Sequence, residues 1–70
     1  MKMRVVIRRQ WKEPVRPEAE QLDGRVFEFT YGWKMGETDP YPGEIAYIPR
    51  DASYPHGAPT WIAEGDLKEC

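Results

Sequence analysis

The chain has 70 residues, 40% of them hydrophobic and 31% charged, with a formal net charge of −2. A chain of that length makes one domain, and it buries only about 60% of the surface its unfolded form exposes. A lone cysteine, Cys70, excludes an internal disulfide, and no Cys/His framework offers a structural metal, so three Trp, four Tyr and two Phe are left to build the core.

The first predicted strand spans residues 2–11. Met3, Val5, Ile7, Arg9 and Trp11 share one face, and Lys2, Arg4, Val6, Arg8 and Gln10 share the other. The odd face reads as inward. Arg9 disagrees with it and marks an edge or a bulge there. Residues 12–24 hold Pro14, Pro17 and the turn dipeptide Asp23-Gly24. That excludes a central strand, and Pro17–Leu22 reads as one helical turn or a surface loop.

Residues 25–34 carry the strongest pattern in the chain. Phe27, Phe29, Tyr31 and Trp33 occupy every second position. On a β-strand that spacing sends all four rings to one side, the side a barrel closes over. Residues 35–43 are turn material, and Tyr41-Pro42-Gly43-Glu44 matches a type II turn. A third strand is expected at 44–48 and a fourth at 60–63, separated by the proline-rich loop 49–59. A tight turn at 64–67 follows, with Leu67 plugging the core. Residues 68–70 form a last short strand or a frayed end. No long amphipathic helix and no repeat is visible. The expected fold is therefore all-β: a small barrel of about five antiparallel strands with Pro/Gly-rich loops and one short helical turn.

The layout resembles that of SH3-like barrels: a long first loop, the aromatic strand, then strand, loop, strand and a closing one-turn helix. The tail Trp61-Ile-Ala-Glu-Gly-Asp-Leu67-Lys-Glu looks like their closing element. The Ala-Leu-Tyr-Asp-Tyr signature of peptide-binding SH3 domains is absent, and so is a closing Pro-x-x-Tyr motif. The resemblance therefore implies a fold and not proline-rich peptide binding.

No residue set points to catalysis. His56 lies alone in Tyr54-Pro-His-Gly-Ala-Pro59, near Asp51 and Ser53 but in no nucleophile motif. Glu64 and Asp66 flank Gly65 in a polar turn and are expected to cap it or to stay solvated. No cofactor and no metal is expected. The loops 35–58 combine acidic residues with aromatics, and loop aromatics favour recognition surfaces. The leading reading is thus a non-enzymatic module that binds another protein through Trp33, Tyr41, Tyr54, His56 and Trp61, or that pairs with itself as a homodimer. Trp33 and Tyr47 are also expected to contribute to the core.

The alternative is a nucleic-acid-binding barrel. Residues 1–16 have a balance of +5 and residues 17–70 a balance of −7. Lys2, Arg4, Arg8 and Arg9, with Lys12 near them, can meet phosphates, and Trp11 can stack on a base. The acidic total argues against this, and a basic strand beside acidic ones has its own structural use. No apolar run approaches the ~20 residues of a membrane span. Val5-Val6-Ile7 is far shorter than a signal-peptide core. A cytoplasmic protein is expected, of the size and style of a small bacterial or phage gene product.

Overall fold

The structure is a computed structural model that describes residues 1–9 and 21–70. Trp11, Lys12 and most of the expected first loop lie outside the described residues. Among the described residues, five strands make one antiparallel sheet: β1 (Lys2–Val5), β2 (Val26–Lys34), β3 (Ile45–Pro49), β4 (Ile62–Ala63) and β5 (Leu67–Glu69). Their spatial order is β4-β3-β2-β1-β5. The helical content among the described residues is a 3₁₀ turn, Glu64–Asp66, between β4 and β5. The all-β expectation with about five antiparallel strands holds.

β1 is shorter than its alternation suggests. The strand ends at Val5, one more backbone bond continues toward the β5 side, and the two amides after that turn to side chains. The Val6 amide donates to the Asp66 carbonyl at 2.9 Å. The Ile7 amide donates to Asp23 Oδ1 at 2.9 Å and the Arg8 amide to Asp66 Oδ1 at 3.0 Å. An amide that leaves a sheet needs another acceptor, and here carboxylates take the Ile7 and Arg8 amides.

β2 corrects the most prominent expectation. Phe27 and Phe29 are each 1% exposed, but Tyr31 is 57% and Trp33 40% exposed. The four rings do not share one covered face. Tyr31 stands opposite Tyr47, whereas Trp33 stands opposite Ala46, so two steps along β2 match one step along β3. Gly32 is the extra residue of this bulge. Residues opposite one another point the same way, so the bulge carries Trp33 to the face of Ala46, away from that of Tyr31 and Tyr47. The backbones come close here: a Cβ on Gly32 would lie 2.6 Å from the Ala46 carbonyl oxygen.

Two apolar clusters result. The main one gathers Met3, Val5, Leu22, Phe27, Phe29, Ala58, Ile62 and Leu67, with Ile7, Tyr47 and Tyr54 packed against it. Phe27 meets Phe29 edge-on at 6.4 Å and Tyr54 at 5.1 Å. The second cluster is Met35, Tyr41, Ala46 and Ala63, with Trp61 against it. Tyr47 and Ala46 are adjacent on β3, and Ile62 and Ala63 are adjacent on β4, so the clusters lie on opposite faces of the sheet. The loop from β2 to β3 folds over the second cluster. Its turn has the expected type II form, with Gly43 at φ +86° and the Glu44 amide donating to the Tyr41 carbonyl at 3.2 Å.

Candidate functional site

Trp33 and Trp61 meet beside the second cluster. Their ring centroids are 5.8 Å apart at an interplanar angle of 63°, an edge-to-face contact. Trp33 comes from the end of β2, after the bulge, and Trp61 from the residue before β4. Trp61 is half-buried against the second cluster, while Trp33 is 40% exposed. Of the five residues expected to face a partner, these two are brought into contact.

Tyr41 is not an open recognition side chain. It is 8% exposed, and the Arg9 guanidinium lies 3.8 Å from its ring centroid. Arg9 itself is folded inward, which removes it from the basic face of the nucleic-acid alternative. Its Nη1 and Nη2 donate to Glu44 Oε2 and Oε1 at 2.7 and 2.6 Å, a bidentate pair. Its Nε donates to Asp66 Oδ2 at 3.2 Å. Glu44 Oε1 also accepts the Gly65 amide at 2.9 Å. The Arg9 hydrogen bonds and the Gly65 amide hold the Glu44 carboxyl below the usual carboxylate range, and Glu44 raises the Arg9 guanidinium in turn. Asp66 is fully buried rather than solvated or exposed as a cap. It receives the Arg8 amide and the Arg9 side chain, so its charge is paired. This clamp seals the second cluster and ties the end of the first segment to the 3₁₀ turn.

Tyr54 also serves the core. Its ring packs on Phe27 and its hydroxyl donates to the Pro59 carbonyl, closing the 49–59 loop on itself. Burial pushes the phenol up to about 12. His56 is exposed in the same loop. Asp51 accepts the Ser53 amide at 3.0 Å, the Ser53 hydroxyl at 2.8 Å and the Glu28 amide at 3.3 Å. Those Ser53 bonds lower its carboxyl and give Asp51 a structural task in the loop. Among the described residues, no group of three or more His, Cys, Asp or Glu is placed to hold a metal ion.

Lys2 and Arg4 are exposed, as the alternation of β1 suggests, and Arg8, beyond β1, is exposed too. Sequence reasoning missed Lys68, which stands directly opposite Arg4 in the β1–β5 ladder. It also missed the inward roles of Glu44 and Asp66. Asp66 lies 57 residues from Arg9, and nothing local signals that pairing. No helix among the described residues is long and apolar enough to cross a membrane. Comparison with protein-family models, with curated proteins and with solved structures finds no match.

Proposed function

We propose that this chain is a non-enzymatic binding module that recognises another protein through the Trp33–Trp61 pair. The observation that carries the reading is the 40% exposure of a tryptophan held edge-on against a second tryptophan. Interface hot spots are enriched in tryptophan, and a pre-positioned ring loses little freedom on binding. The bulge at Gly32 and the clamp beneath Tyr41 supply that positioning. We read the sheet as a small SH3-like barrel, supported by the order β4-β3-β2-β1-β5 and by the 3₁₀ turn between β4 and β5. The single thiol suits a reducing, cytoplasmic setting.

The test compares the wild-type chain with Trp33→Ala, each immobilised and exposed to extract of the native host. The reading expects one protein held by the wild type and released by the variant, with the urea midpoint of the variant little changed. Equal retention by both, or retention of nothing, would sink it. Light scattering over a range of concentration tells a different partner from a second copy of the chain.

A further inference from the structure

The outer face of β1 and β5 holds cations drawn from both ends of the chain. Arg4 stands opposite Lys68 in the ladder, and Lys2 lies two residues along the same face. All three are exposed, and so is Arg8 just beyond the strand. Side chains directly opposite on neighbouring strands have Cβ atoms about 4.5–5.5 Å apart, and like charges placed so repel. The neighbouring positions on β2 are Val26, opposite Arg4, and Glu28, opposite Lys2.

The ion pairs among the described residues leave Arg4, Lys68 and Arg8 out. They join Arg9 to Glu44 and to Asp66, and the amino terminus to Glu28. Lys2 has acidic neighbours, since Glu28 lies opposite it and its charge acts on Asp51. Arg4 Nη1 donates to the Gly24 carbonyl at 2.7 Å, which orients the guanidinium and leaves its other N–H groups without an acceptor among the described residues. A chain of net negative charge thus keeps an in-register pair of cations with, among the described residues, no carboxylate paired to either.

We infer that this face holds the phosphate backbone of a nucleic acid. An oriented guanidinium suits a phosphate, and an extended polyanion can follow cations set out along a strand. Val26 is exposed on this face and Met1 lies beside Lys2, too little apolar surface among the described residues for insertion into a membrane surface. An acidic protein segment would also want apolar contact, which this face barely offers. With about three phosphates met, log affinity falls with log salt at a slope of about −2 for a single strand. The inference stands apart from the Trp33–Trp61 reading and uses neither tryptophan.

Arg4→Glu separates binding from folding. It places a carboxylate opposite Lys68, so the ladder is kept or strengthened. The probes are oligo-dT of about 12 nucleotides, a duplex of equal length and poly-glutamate, each titrated from about 50 mM salt upward. Wild type is expected to bind an oligonucleotide, and the single-strand and duplex arms show which form fits better. Arg4→Glu is expected to weaken binding by tenfold or more and to reduce the salt slope by about 1, with an unchanged or higher urea midpoint. Lys68→Glu, its mirror on β5, is expected to do the same. Trp33→Ala is expected to bind as wild type does. No binding of either nucleic acid at low salt overturns the inference, as does unaltered binding by a folded Arg4→Glu. Equal binding of poly-glutamate overturns it in favour of an acidic protein.

Discussion

The cluster around Phe27 and the cluster around Tyr41 lie on opposite faces of β2, β3 and β4, and different forces close them. The first is closed by large side chains that interlock, Phe27 against Phe29 and Tyr54, with Val5, Leu22 and Ile62 around them. The second is built from two alanines, a methionine and a tyrosine, and an arginine held by two carboxylates covers its ring. The first face hides Phe27 and Phe29 but leaves Tyr31, further along β2, 57% exposed. The second leaves a tryptophan in solvent at its border. A small domain can therefore spend its bulky residues on one face, close the other with ionic hydrogen bonds, and leave an aromatic side chain open there.

That contrast breaks most severely if the main cluster is emptied. Phe27→Ala removes the ring at the centre of both aromatic contacts and is expected to cost about 3–5 kcal/mol, measured by urea unfolding. For a chain this small that approaches its whole stability. A loss below about 1 kcal/mol would mean that the main cluster does not dominate. Asp66→Ala tests the ionic side. It strands the Arg8 amide and takes one of Arg9's two carboxylate partners, at an expected cost of about 2–3 kcal/mol. Restoring the midpoint with an apolar residue at 66 alone would show that the clamp adds nothing to the second cluster.

Gly32→Ala addresses the boundary between the faces. The new methyl meets the Ala46 carbonyl, and the expected cost is about 1–3 kcal/mol. Tryptophan fluorescence should shift as Trp33 leaves Trp61; an unchanged spectrum would argue that the bulge does not set the ring's position. Trp33→Ala is expected to lose only about 0.5–1 kcal/mol, the scale of one aromatic pair.

The subtlest distinction is pH. The Glu44 carboxyl is lowered from 4.5 in the folded chain. Its contribution is therefore present above pH 4.5 and lost as pH falls through the folded value. The Tyr54 phenol is raised from 10.0 to about 12, so its contribution is present below pH 10 and lost as pH rises from 10 through about 12. Acid thus loosens the second cluster and alkali the first. Urea midpoints across pH should show a weaker acid limb in Glu44→Gln and a weaker alkaline limb in Tyr54→Phe. Asp51, lowered by Ser53, leaves some acid dependence in the former. An acid limb of full size in Glu44→Gln would assign it elsewhere.

Much of this was legible along the chain. The alternation of residues 2–5 and 25–30, the type II turn at Pro42-Gly43 and the closing turn at 64–66 are local patterns, and local sterics and period-two alternation produce them. Tyr31 and Trp33 continue the same alternation and yet part company. A bulge is set by the partner strand and leaves no period of its own. The candidate site was legible as residue types but not as a place. Trp33 and Trp61 were both in view, with nothing to say that they meet, and the proline-rich loops of Tyr41 and Tyr54 fit a recognition surface and a lid over the core alike.

By itself, then, the sequence determined an all-β chain, the inward rings of Phe27 and Phe29, and the turns. These follow from torsional preferences and from burial alternating over a few residues. Only the tertiary structure decided that Arg9 turns in to Glu44 and Asp66, that Lys68 lies opposite Arg4, and that Trp33 crosses to the other face. Those outcomes depend on charges and backbones many residues apart, which meet only after the strands have paired.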